Sequence, residues 1–424
     1  MFLLYNIVIL LLAPLWVPWM IIRARKRDEA PNWKQRQGDY SDVHIPKDTP
    51  SIWVHAVSVG EVMAALPILR QTKALLPGHH IVLSVTTSSG HRTAREHAVD
   101  VVDSIVYFPI DIPRFQLAAM MRVRPDVVAI METELWFNFL WAAKALGAKT
   151  LLINGRISDR SFPRSKKIAF FYRALLAQLD RCLMQTEVDA TRLTALGARN
   201  AEVFGNSKFD QAVDGLDADP AWWRKSLGLP DGLPVIIIGS TRGEDEESFI
   251  EFAIDLLVED LERSETYAVV WAPRHIERAD ALEKLMVGLF GSCARRSRSE
   301  RGQFVLLDTY GELSKVYSIA DVVVIGGGFH DFGGQNLLQP MAHGKPVIHG
   351  QYMQNFKDVT RVALELGASV ECWSPQDLAL ALKDLLDHPD KSRQMGDAGK
   401  AFVEANAGAS RRYALAIEEA AHSD

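Results

Sequence analysis

Short apolar runs recur along the chain, each about as long as one strand, and helical apolar spacing separates them. From residue 51 the runs are SIWVHAV, HIVLSVTT, DSIVYFP, PDVVAIME, KTLLING, RCLMQT and AEVFGN. They are continuous rather than alternating, which predicts strands of a parallel sheet covered on both faces by helices. The alternation pauses at DQAVDGLDADPAWWRKSLGLPDGLP, which is rich in turn and breaker residues. It resumes with VIIIGS, YAVVWAP, FVLLDT, VVVIGGG and PVIHG. The pattern predicts an α/β protein of two doubly wound domains, residues 51–210 and 234–400, with a cleft between them. Residues 211–233 read as the linker and 401–424 as a carboxyl-terminal helix. A chain of 424 residues is too long for one ordinary core and suits two such domains.

The first segment breaks the pattern. Phe2 to Ile22 carries no charge over 21 residues, about the length that crosses a hydrocarbon core of ~30 Å, and RARKRD follows at once. A signal peptide has its positive charge ahead of the apolar run. Residues 1–22 therefore read as a membrane anchor helix and 23–50 as a connector. The basic cluster puts everything from Arg23 onward on the cytoplasmic side of the membrane. Pro14 and Pro18 would kink a span, so a buried or interfacial helix is the other reading. As an anchor, the segment is expected to contribute little to either core.

Net charge of −6 argues against general nucleic-acid binding. Cys182, Cys293 and Cys372 stand far apart in or near apolar runs, which excludes a disulfide framework and a zinc knuckle and fits a reducing compartment. There is no GxxxxGK[ST] and no HExxH, and the histidines form no metal-ligand spacing.

Ligands of doubly wound folds bind beyond the carboxyl ends of the strands, and the polar residues of interest fall there. In SVGEV, Glu61 follows Gly60 at a strand–turn–helix junction, where it reads equally as a helix cap or as a general base. Glu132 and Glu134 end another strand, two apart and hence on one face; they read as solvated charge or as groups orienting a basic residue or a substrate hydroxyl. Arg156, Arg160, Arg164, Lys166 and Lys167 form either a solvated surface or a face for anionic headgroups or a phosphorylated lipid. Lys208, Arg242 and Arg274, each past a strand end, could together hold a phosphate and a carboxylate, with His275 adjacent. Ser240 and Thr241 can cap the next helix, whose first turn carries Glu244 to Glu247. Gly326, Gly327 and Gly328 precede Gly333, Gly334, Gln335 and Asn336 between a strand and a helix, a context in which backbone approaches a ligand and a helix amino terminus meets phosphate.

In this order, HAVSVGEV, METELW, NGRIS with RSF, GNSKFD, PRHIER, DTYGEL and GGQNLLQP resemble the 3-deoxy-D-manno-octulosonic acid (Kdo) transferases of lipopolysaccharide synthesis, along nearly the whole chain. The resemblance implies a GT-B fold of two Rossmann-like domains, with acceptor on the first and nucleotide-sugar on the second. It implies a metal-independent, inverting glycosyltransferase without a cofactor, which moves Kdo from CMP-Kdo to lipid A precursor (lipid IVA) at the inner membrane. It makes Glu61 the base, Glu132 and Glu134 an acidic pair, and Lys208 and Arg274 basic donor-site residues. Gly311, Glu312 and Leu313, with Gln335, Asn336 and Gln339, match its nucleotide-binding loops. The family often has His at Gln335 and Arg242, Glu at Gln339 and Pro at Phe137. Two other readings are a nucleotide-sugar epimerase of the same fold and a catalytically silent sugar-lipid binding protein.

Overall fold

The computed structural model describes residues 1–26, 32–46, 48–213, 215–260 and 267–423. The first sheet comprises β1 (Ser51–Ala56), β2 (His80–Val85), β3 (Ser104–Tyr107), β4 (Val127–Met131), β5 (Lys149–Gly155), β6 (Arg181–Met184) and β7 (Ala201–Val203). Their order is β3-β2-β1-β4-β5-β6-β7, and every pairing is parallel. The second comprises β8 (Val235–Thr241), β9 (Ala268–Pro273), β10 (Ala294–Arg295), β11 (Phe304–Leu306), β12 (Val322–Ile325), β13 (Val347–Gly350) and β14 (Ser369–Cys372). It runs β10-β11-β9-β8-β12-β13-β14, again parallel throughout. In both sheets the chain winds outward from its first strand, then returns to add strands on the other side. β1 therefore lies between β2 and β4, and β8 between β9 and β12. The crevice at such a reversal is where open α/β sheets hold ligands.

β1 shows why these segments become strands. All six residues are buried. Ile52, Val54 and Ala56 enter the core on one face, while Trp53 packs on the other with Tyr40 and Phe139. The expected strands are all present. The two missed, β10 and β14, are the edges of the second sheet. One has two residues and the other carries the partly exposed Val370 and Glu371, so neither has a continuous apolar run.

Contacts divide the chain into Met1–Asp210 with Ala407–Asp424, and Gln211–Asn406. The stretch read as a linker, 211–233, contains a helix, Pro220–Leu227, capped by Asp219 and burying Trp223 and Leu227 in the second unit. The stretch read as one helix, 401–424, is two: Pro389–Asn406 ends in the second unit, and Ala409–His422 belongs to the first. Asp210 accepts the Gly408 and Ser410 N–H groups at 2.5 and 2.6 Å and so caps that last helix. Tyr413 is fully buried and donates to Gly205 O at 2.6 Å.

The amino-terminal segment is a helix, Phe2–Lys26, with Pro14 and Pro18 inside it. It does not stand apart from the core as expected: Phe2 and Tyr5 pack against the first unit beside Phe137, Trp141 and Phe171. Leu3, Leu10, Leu11 and Leu15 remain more than 70% exposed. Among the described residues no helix is long and apolar enough to cross a membrane. The basic run RARKRD lies outside them from residue 27 on, and the side chains of residues 23–26 are likewise outside the description.

Because Tyr413, Ala416 and Ile417 are core residues of the first unit, Tyr413→Ala is expected to cost about 3–5 kcal/mol, the usual loss on emptying a buried aromatic site. Denaturant unfolding of the variant checks this; a loss below about 1 kcal/mol would show that the last helix is only an appendage.

Candidate functional site

The Val59–Leu75 helix starts just after β1, with Ser58 as its cap. Ser58 Oγ accepts the Glu61 N–H at 3.4 Å and donates to Glu61 Oε1 at 3.1 Å, while the Val57 N–H donates to Oε2 at 2.9 Å. The capping alternative is therefore realised, with serine and glutamate three apart serving the first helical turn. The same contacts fix the carboxylate's orientation. Glu61 is only 8% exposed, and burial, joined by the charges of Glu132 and Glu134, pushes its pKa up to about 7 despite the hydrogen bonds that lower it.

Glu132 and Glu134 do not share a strand face. β4 stops at Met131, and Glu132 follows in a turn with a left-handed φ of 55°, its N–H donating to Ile153 O at 3.0 Å. Such a backbone is uncommon outside glycine and persists where surroundings hold it. From this turn the charges of both carboxylates reach Glu61 and raise its pKa. Burial, then the charge of Glu132, raises the Glu134 pKa.

Three supporting residues escaped the sequence reading. Gly90, in the Ser88–His97 helix, lets that helix approach the Ser58 turn, since a Cβ there would meet the Ser58 carbonyl carbon at 3.2 Å and Val85 Cγ1 at 2.8 Å. Asn154, with a left-handed φ of 51° at the bulged end of β5, accepts the Ser207 N–H through Oδ1 at 3.1 Å. Ser207 Oγ donates to Ala64 O at 2.9 Å, tying the loop that carries Lys208 to the helix that carries Glu61. Lys208 is half-buried in this first unit, whereas Arg242 and Arg274 belong to the second.

In the second unit Ser240 is the penultimate residue of β8, and the other expected residues fall past the ends of β8, β9, β11 and β12, adjacent strands in the order β11-β9-β8-β12. Ser240 has a left-handed φ of 62°. Arg242 is exposed and lies over the Phe332 ring at 5.4 Å. Arg274 and His275 are exposed, and the Arg274 N–H donates to Thr241 O at 2.8 Å, joining the β8 and β9 loops. Gly311 to Leu313 begin a short turn after β11, where Glu312 pairs with Arg296 at 2.9 Å and accepts from Thr309. Burial opposes the hydrogen bonds and charge of Arg296, but the net effect lowers the Glu312 pKa. Gln335, Asn336 and Gln339 are half-buried past β12. Gln335 packs over Gly327, whose φ of 77° is left-handed, and Asn336 Oδ1 accepts the Leu338 N–H at 3.0 Å. Gln339 forms no side-chain hydrogen bond among the described residues.

Glu246 changes the reading of the glycine-rich loop. It was expected as one of four acidic residues favouring a helix amino terminus. Instead it is fully buried and accepts N–H groups from Arg242 at 2.7 Å, Gly327 at 2.8 Å and Phe329 at 3.1 Å. The Gly327 N–H, in the loop expected to approach a ligand, is therefore already spent on this carboxylate. The helix expected to receive phosphate is five residues long, Leu338–Ala342, with its first N–H bonded to Asn336.

The basic segment divides. Arg156 is half-buried at the end of β5, while Arg160, Arg164, Lys166 and Lys167 are exposed. Arg160 and Arg164 border one open depression with Ile168 and Tyr172. Beside them Ile168 and Phe170 are 45% and 62% exposed.

Residues 31–211 match a family described as 3-deoxy-D-manno-octulosonic-acid transferase (kdotransferase), and residues 296–402 match glycosyl transferases group 1. The chain is 34% identical to a 3-deoxy-D-manno-octulosonic acid transferase of Bordetella pertussis, across 98% of each chain. It is 31% identical over 351 residues to a bifunctional glycosyltransferase/methyltransferase of Fusobacterium nucleatum, covering 80% of this chain and 53% of that one. The chain thus spans about half of that relative's length. The solved structure of MurG from Acinetobacter baumannii is similar at a TM-score of 0.56 and 12% identity, over 87% of this chain and 99% of MurG, a likeness of fold alone. The chain is a glycosyltransferase and belongs to the 3-deoxy-D-manno-octulosonic acid transferase family.

Proposed function

We propose that the protein transfers Kdo from CMP-Kdo to lipid A precursor, lipid IVA, with inversion and with Glu61 as general base. The observation that carries this reading is a buried carboxyl at the β1–β4 reversal with a pKa of about 7, oriented by Ser58 and Val57 and faced by Glu132 and Glu134. A base of that pKa is half ionised near neutrality, where proton transfer is most effective. The acceptor hydroxyl oxygen bonds to the anomeric carbon of Kdo as the bond from that carbon to the CMP phosphate oxygen breaks. The hydroxyl proton passes to Glu61, and the electron pair leaves on CMP. Arg242 and Arg274 are the exposed cations of the second unit suited to the leaving phosphate. Gln339 is suited to the ribose hydroxyls, and Glu132 and Glu134 to the acceptor sugar. No step calls for a metal or a cofactor.

The same reading seats the protein on the cytoplasmic face of the inner membrane. The exposed leucines of the Phe2–Lys26 helix, with Ile168 and Phe170 beside Arg160, Arg164, Lys166 and Lys167, suit an anionic bilayer surface. Interfacial seating fits the helix better than a full span. Its first turn is held by the protein, and the apolar run left from Ile7 to Ile22 is about 24 Å at ~1.5 Å per residue, short of a ~30 Å hydrocarbon core.

Incubation of the purified protein with CMP-Kdo and lipid IVA is expected to release CMP and yield a Kdo-bearing lipid, with or without EDTA. Conversion of a nucleotide-sugar without transfer would favour an epimerase, and binding without turnover a silent protein. Glu61→Gln is expected to cut turnover roughly 10²–10⁴-fold with donor affinity unchanged. Because ionised Glu61 is the active form, kcat/KM of the wild type should fall as pH drops through about 7, and the variant's residual rate should lack that limb. An acid limb near 4.5 in the wild type would return Glu61 to a purely capping role.

A further inference from the structure

The apolar run at the amino terminus contains two polar side chains before Pro14, Tyr5 and Asn6. Both are half-buried, and both are hydrogen-bonded to the body of the first unit. Tyr5 donates its hydroxyl to Asp111 Oδ2 at 2.8 Å. The Asn6 and Asn138 amides pair reciprocally, Asn6 Nδ2 to Asn138 Oδ1 at 2.9 Å and Asn138 Nδ2 to Asn6 Oδ1 at 2.8 Å. Asp111, only 5% exposed, also accepts the N–H groups of Asn138 and Phe139 at 3.2 and 3.0 Å. Those two residues open the Phe137–Ala145 helix, whose own cap position, Trp136, supplies no side-chain acceptor. Asp111 therefore caps this helix from a distant loop, and the amino-terminal helix closes the network over it. Ring contacts complete the joint: Phe2 with Trp141 at 4.5 Å, and Tyr5 with Phe137 at 5.3 Å and Phe171 at 5.6 Å.

The capped helix begins directly after the turn Glu132–Trp136. That turn has a left-handed residue at its start and no helix or strand of its own, so its two flanks, β4 and the Phe137–Ala145 helix, set where its carboxylates lie. We propose that Tyr5 and Asn6 are positioning residues, which latch the membrane-seated helix onto the start of the Phe137–Ala145 helix and so hold Glu132 and Glu134 in register for the acceptor. This rests on the reading of that turn as the acceptor side. The latch makes the helix part of the acceptor site rather than only a tether. It also accounts for two polar residues in a run whose other positions are apolar: a tether alone has no use for them.

The test uses full-length protein in detergent micelles, with Tyr5→Phe, Asn6→Leu and the pair. Tyr5→Phe keeps the ring contacts and removes one hydroxyl; Asn6→Leu keeps the run apolar. Hydrogen exchange is read at residues 137–140, and donor and acceptor KM are measured well below each variant's melting transition. The pair is expected to exchange at those amides about tenfold faster and to raise acceptor KM about three- to tenfold with donor KM unchanged. Tyr5→Phe alone should move both readouts in the same direction by less. Wild-type exchange at 137–140 would overturn the latch. So would faster exchange that leaves acceptor KM untouched, or one that raises both KM values alike. The exchange arm needs no substrate, so a wild type that transfers no Kdo would overturn the reaction assignment and leave the joint itself standing.

Discussion

In each sheet the winding reverses beside the first strand, and a buried glutamate in the first turn of the following helix occupies that reversal. The two glutamates differ in what faces them. Glu246 receives backbone N–H groups from both sides of the β8–β12 boundary. It fastens the Arg242 loop to the glycine-rich loop and has little capacity left for a ligand. Glu61 receives only local donors, and across the β1–β4 boundary it meets two more carboxylates. Burial raises both pKa values. Of these two, only Glu61 is raised further by like charges, and its pKa is pushed up to about 7. One unit keeps a carboxyl of raised pKa at its reversal, and the other uses the same position to join two loops.

The architecture was legible because buried parallel strands leave continuous apolar runs, and β1 is the plain case. β10 and β14 were not, because an edge strand has one neighbour and needs no such run. The site was legible as a set of residue types at strand ends. Its geometry was not, because partners hundreds of positions apart or in other loops decide it. Glu61 could be read locally as a cap or a base, and it is built as a cap whose buried carboxyl has a raised pKa. Glu132 and Glu134 looked like one strand face until the left-handed turn at Glu132 ended the strand. Glu246 looked like one acidic residue among four, since nothing nearby in sequence announces Gly327 and Phe329 as its partners. Tyr5 and Asn6 looked like blemishes in an anchor because Asp111 and Asn138 lie more than a hundred residues away.

These contacts give the first unit a single logic. The last helix fills its core through Tyr413, Asp210 caps that helix, and Ser207, three residues before Asp210, binds the helix of Glu61. The first helix binds the far side of the acidic turn through Asn138 and Asp111. Both chain termini therefore brace the loops around one carboxyl. Such bracing matters at a reaction site, because misplacement of a reacting group by about 1 Å can cost two orders of magnitude in rate.

The central claim is that Glu61 titrates near neutrality because it is buried against Glu132 and Glu134. Carboxyl 13C NMR of selectively labelled protein, followed from pH 4 to 9 in wild type and in Glu134→Gln, measures this without any substrate. The account expects a Glu61 midpoint of about 7 in the wild type and a lower one in the variant, where one facing charge is gone. A wild-type midpoint in the ordinary glutamate range of ~4.3, or one that Glu134→Gln leaves unmoved, would contradict it.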